Sequence, residues 1–185
     1  MNAKNEAIEI TNNNIMEEAL MGIPKTGVSD TLHVGQDDLP WVDTGHGVSI
    51  QLLHVDLAQG LWINRSRFSP GTTLPTHYHT GIVYAVTQKG KWWYTETPEQ
   101  VNSEGSYLFE PAMSIHTLTV DPDTTEDTEV WFAIYGANVD LDEDGNVTSI
   151  LDAATALKLY RQACAAEGKS CEGMIVVGEN LTHHA

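Results

Sequence analysis

Short runs of alternating hydrophobic and polar residues fill the chain from about residue 30 to residue 135. Val48–Leu57 and Leu61–Phe68 are the longest, and the second ends at Ser69-Pro70-Gly71, a turn signature. Thr31–Val34, Ile82–Gln88, Lys91–Thr95, Ser106–Glu110, Ile115–Val120 and Val130–Tyr135 read as further strands. A tight turn at Lys89-Gly90 predicts a hairpin between two of them. Many short strands at regular spacing predict an all-β sandwich or barrel.

The pattern changes once, after Asp152. Ala153–Glu167 is rich in Ala and Leu, starts behind a capping Asp and stops at Gly168, so it predicts a helix. Leu157, Tyr160 and Cys164 share one face of it, which would cover an end or side of the barrel. Ahead of the strands, Asn12–Asn14 and Gly22-Ile23-Pro24 break regular structure around one or two helical turns at Ile15–Met21. The expected division is an arm over 1–28, a barrel over 29–150, and a helix with a tail over 151–185.

Composition narrows the function classes. A chain of 185 residues with 41% hydrophobic content suits one globular domain. It contains no apolar run near the roughly 20 residues that span a bilayer. Its first residues lack a basic start followed by an apolar stretch, which sets a cytoplasmic location as the expectation. Twenty-six acidic residues against nine basic ones give a net charge of −17. That balance argues against nucleic acid and anionic membrane as partners, and fits solubility through self-repulsion. Cys164 and Cys171 match neither a redox pair nor a zinc pattern, and read as free thiols. Asp121–Glu129 reads as a solvated loop. Asp140–Asn146 is superficially like a calcium loop, but its twelfth position is Leu151 rather than Glu. It reads as an acidic turn with Gly145 at the tip.

The chemistry concentrates in His77-Tyr78-His79 and in His116, thirty-seven residues further on. Side chains two apart on a strand point to the same face. A third imidazole from another strand would complete a set of neutral donors that leaves open positions on a metal. Gly71, His77, His79 and Gly90 stand in the register of the first cupin motif, and Gly105, Pro111 and His116 in that of the second. The chain therefore resembles the cupins. It departs from them where Val83 replaces the usual ligand Glu, Met113 a Gly, and Val120 the final Asn. From about residue 30 to residue 165 it is similar to the dihydroxyacetophenone dioxygenase-like cupins, with acetylacetone dioxygenase a more distant relative. The shared segments are His77–Gly81, Gly90–Tyr94, Gly105–Pro111, His116–Leu118 and Asp142–Val147.

The resemblance implies a double-stranded β-helix, or jelly-roll barrel, with His77, His79 and His116 holding Fe(II). It further implies a dioxygenase that cleaves a carbon–carbon bond beside a carbonyl. The substrates would be dioxygen and a small hydroxyketone or diketone, and the assembly a homodimer. Zn or Mn would suit the same three imidazoles. The alternatives are a cupin that only binds a metal or small ligand, and a Zn or Mn isomerase or hydrolase. Around the metal, Tyr84 and Glu110 are the candidate catalytic residues. Val83, Trp93, Arg65 and Arg67 are the candidate substrate contacts. Val83 would dry the pocket. Trp93 lies on the face opposite Trp92 and Tyr94, and one of those two faces would form an aromatic wall. Arg65 and Arg67 share a face suited to a carboxylate or enolate. Glu96 is a further acid that a ligand imidazole could use as partner. His33, His46 and His54 match no motif.

Overall fold

The computed structural model describes residues 31–179. The arm expected over 1–28 and the histidines at 183 and 184 lie outside the described residues. Among the described residues, thirteen strands and one helix follow in chain order. The first six strands are β1 (Val42–Gly45), β2 (Val48–Asp56), β3 (Leu61–Phe68), β4 (His77–His79), β5 (Val83–Lys89) and β6 (Lys91–Tyr94). Next come β7 (Asn102–Ser103), β8 (Tyr107–Glu110), β9 (Leu118–Val120), β10 (Thr128–Tyr135), β11 (Asn138–Leu141) and β12 (Val147–Leu151). Helix α1 (Ala153–Ala166) and strand β13 (Ile175–Val177) close the order. The all-β barrel expected from the strand pattern is observed, with the jelly-roll form that the cupin resemblance implies.

One wall is a seven-stranded sheet in the order β1-β2-β3-β10-β5-β8, with β13 also pairing with β2. The facing wall consists of two three-stranded sheets, β12-β11-β4 and β7-β6-β9. Backbone bonds from Leu74 to Leu118 and between His77 and His116 stitch the two small sheets together. Strand β3 shows why the walls enclose a core. Its residues alternate without a break, with Trp62, Asn64, Ser66 and Phe68 inside and Leu61, Ile63, Arg65 and Arg67 on the outer face. Phe68 meets Phe132 of β10 edge to face, ring centroids 6.5 Å apart.

Three expectations need correction. Thr31–Val34 forms no strand, and the first strand is Val42–Gly45. Strands β5 and β6 are not a hairpin. They flank Gly90 but belong to different sheets, β5 beside β8 and β10, β6 beside β7 and β9. Gly90 carries the chain from one wall to the other at φ 82°, where a Cβ would stand 2.3 Å from Thr128 Oγ1. The short strands β7, β11, β12 and β13 had no reading as strands. By contrast, the acidic segment does form the turn between β11 and β12, with Asn146 and Gly145 folded back onto Asp142.

The helix begins and ends near its predicted limits. Asp152 accepts a hydrogen bond of 2.7 Å from the Thr155 N–H, and Gly168 follows the last turn at φ 66°. Leu157, Tyr160 and Cys164 are buried, and Tyr160 donates its hydroxyl to the Pro40 carbonyl at 2.6 Å. This anchors the helix against the segment that leads into β1.

Candidate metal centre

His77 and His79 are the inward residues of β4, with Tyr78 between them less buried. Their strand is held by β11, where Asp140 pairs with His77 and Asn138 with His79. His116 is placed by an isolated antiparallel bridge to His77, with reciprocal N–H···O bonds of 3.0 Å. Exposed Glu96 supports it from outside by accepting the Thr117 N–H at 3.0 Å. The three imidazoles are buried, and one ring nitrogen of each lies within 4.8 Å of the others.

Hydrogen bonding sets the first ring. His77 Nδ1 lies 2.8 Å from the Pro75 carbonyl, which can only accept. Nδ1 therefore carries the proton, and Nε2 presents its lone pair to the site. Burial depresses all three imidazoles, His79 to about 3 and His116 to about 4, so they are neutral donors near pH 7.

Glu110 enters from β8. Its Oε2 lies 3.3 Å from His79 Nε2 and 3.4 Å from His116 Nε2. Because those rings are neutral, the contacts are not ion pairs. Burial raises the carboxyl to about 7, and a hydrogen bond from the Tyr94 hydroxyl to its other oxygen opposes that rise. Tyr94 also lies against His116, ring centroids 4.2 Å apart. In the ladder Glu110 pairs with Val83, the position where the motif lost its acid. The carboxylate is thus supplied from the neighbouring strand.

The donor set fits a divalent metal. His79 Nδ1, Glu110 Oε2 and His116 Nε2 are buried without hydrogen-bond partners. Leaving such atoms unpaired is costly unless something satisfies them. A cation among the imidazoles would satisfy His116 Nε2 directly.

The other expected site residues fall in different places. Val83 is fully buried beside Glu110 but does not border the cavity. Tyr84 is on the outer face of the sheet, packed with Tyr107 and Phe109, both exposed. One residue of strand alternation separates it from the site, so it cannot act there. Trp93 likewise faces away, and of the Trp92–Tyr94 run it is Tyr94 that borders the cavity. Arg65 and Arg67 lie outside the barrel over the Trp41 ring, Arg67 at 3.8 Å from its centroid and paired with Glu129. Neither reaches the interior.

The site opens into a cavity of about 610 Å³ that runs between the walls to helix α1. Its lining is mostly apolar. Asn64 and Ser66, which the sequence reading did not single out, also line it, as does His46 at the turn before β2.

Residues 29–138 match the model of the ChrR cupin-like domain. The chain belongs to this cupin family. A solved cupin-fold protein of unknown function from Ralstonia eutropha JMP134 is 33% identical, with TM-score 0.75 over 83% of this chain and 95% of that one. An RmlC-like cupin from the same organism is 26% identical, with TM-score 0.69 over 76% of this chain and 91% of that one. The acetylacetone dioxygenase of Acinetobacter johnsonii is 19% identical, with TM-score 0.64 over 76% of this chain and 97% of that one, a likeness of fold. No curated protein matches. Among the described residues of this cupin, no helix is long and apolar enough to cross a membrane.

Proposed function

We propose that this cupin is a mononuclear Fe(II) dioxygenase that cleaves a carbon–carbon bond beside a carbonyl in a hydroxyketone or diketone. The observation that carries the reading is the convergence of three neutral imidazoles and one buried carboxylate on a point at the edge of an apolar cavity. The activity named for the Acinetobacter fold relative supports the same direction.

His77, His79 and His116 would hold the iron. When bound, the metal supplies Lewis acidity toward the carbonyl and redox access to dioxygen. The chain's own part is to bind and deprotonate. The apolar walls exclude water, which strengthens attraction between the site and an anionic enolate. Glu110, whose Oε2 faces the point where the imidazoles converge, accepts the proton from the carbon beside the carbonyl. Tyr94 keeps its proton, because burial and the adjacent carboxylate push its titration far upward, and so holds Glu110 by donation.

The test is metal analysis of the purified protein, followed by oxygen uptake with diketones and hydroxyacetophenones. Iron near one per chain and uptake that stops on chelation are expected. Substrate conversion without oxygen, or no uptake after Fe(II) is supplied, would reject the dioxygenase.

A further inference from the structure

Asn64 and Ser66 stand between Trp62 and Phe68 on the inner face of β3. They are inward neighbours on β3, only 3% and 4% exposed, and both line the cavity. Asn64 Nδ2 donates to Ser66 Oγ at 2.8 Å. That bond uses the serine oxygen as acceptor and leaves its O–H free to donate. Asn64 Oδ1 is buried with no hydrogen-bond partner. The pair therefore offers one unmet acceptor and one available donor, side by side.

Sheet register fixes their place relative to the metal centre. Glu110, Val83, Ile134 and Trp62 form one row across β8, β5, β10 and β3. Asn64 is in the adjoining inward row, with Leu108, Ala85 and Phe132. Three strand spacings of about 4.8 Å each therefore separate the strand of Glu110 from that of Asn64. The two polar ends are joined by apolar side chains including Phe132, Ile134 and Trp62.

Charge defines what fits between them. No Lys or Arg is among the residues lining the cavity, whereas Glu110, Asp140 and Asp43 are. A carboxylate or phosphate at the far end would be desolvated with no cation to meet it. A hydroxyl has the needed chemistry, because it donates to Asn64 Oδ1 and accepts from Ser66 Oγ.

We propose that Asn64 and Ser66 form a hydroxyl-recognition subsite for an uncharged, otherwise apolar carbonyl ligand whose other end lies at the three histidines. This rests on the reading of those histidines as the metal centre. It adds a selection rule: a distal hydroxyl is favoured and a distal carboxylate is rejected.

Calorimetry on Zn(II)-loaded protein under argon tests it without turnover. The probes are a linear nine-carbon β-diketone, its analogue with the far terminal methyl replaced by hydroxyl, and the analogue ending in carboxylate. The hydroxyl probe should bind about tenfold tighter than the parent, the worth of one buried hydrogen-bonded group. The carboxylate probe should bind most weakly. Asn64→Leu and Ser66→Ala should each erase most of the hydroxyl preference and leave the parent's affinity within about twofold. Equal binding of parent and hydroxyl probe by the native protein would overturn the proposal, since an ordered water would then suffice for Asn64. So would a preference that survives both substitutions, tightest binding of the carboxylate probe, or no binding of any probe. If Asn64→Leu fails to fold, the native comparison and Ser66→Ala decide. Hydroxyl preference retained with affinity indifferent to the metal would reject the metal-centre reading and leave the subsite standing.

Discussion

Tyr94 and Glu110 show how much a single hydrogen bond controls at the residue scale. The carboxyl is raised by burial and held back by the tyrosine's donation. Tyr94→Phe removes the donor, so Glu110 should titrate higher still. The acidic limb of the pH–rate profile should move to higher pH, with a fall in kcat at neutral pH; an unmoved limb would separate Glu110 from the proton transfer. His116→Ala should weaken metal binding by more than about 100-fold, beyond the usual cost of losing a supporting partner, as measured by metal titration. The histidines were legible because their spacing is local and their chemistry distinctive. Glu110 was legible as an acid near the second motif, but its role opposite Val83 depends on strand pairing. Trp93, Tyr84, Arg65 and Arg67 were misplaced because alternation alone does not say which face of a strand is inside. On β3 the arginines stay on the outer face, where Arg67 pairs with Glu129 and both lie over the Trp41 ring, whereas Asn64 and Ser66 share a bond inside.

At the scale of elements, lengths were more legible than partners. Leu61–Phe68 and the helix behind Asp152 match their expected spans closely, since alternation and capping are local signals. The pairing of β5 was misread because a glycine between two strands suggests a hairpin in either case. Whether the strands pair depends on the distant segments β8, β9 and β10. Gly90→Ala tests the observed crossing. The left-handed backbone alone should cost about 1–2 kcal/mol, and the clash with Thr128 adds to it. A lower urea midpoint at unchanged slope is the expected result. Asp152→Ala should cost about 1 kcal/mol by the same measurement, through loss of the helix cap.

For the molecule as a whole, the buried imidazoles govern stability in acid. In metal-free protein, folding holds His77, His79 and His116 neutral below their usual titration range. The unfolded chain therefore binds more protons at these sites as pH falls below about 6.5, and stability declines. Glu110 works in the opposite sense, since between about 4.5 and about 7 its folded form keeps a proton that the unfolded chain releases. Three imidazoles against one carboxyl leave a net loss. The thermal midpoint of metal-free protein should drop between about pH 6.5 and pH 5, and drop less in a His79→Gln variant. Equal drops in the two proteins would locate the acid sensitivity elsewhere.

Strand β13 has a consequence beyond the cavity. β1 pairs with β2 over Val48–Ile50, and β13 pairs with it in parallel over His54–Asp56. Together they cover most of a long strand that would otherwise end the large sheet with free backbone groups. Such an edge is a template on which another chain can add. The last described segment is thus a guard against unwanted polymerisation. A chain cut before Ile175 would keep His77, His79, His116 and its cavity, and should be recognised first by the growth of its light scattering with concentration.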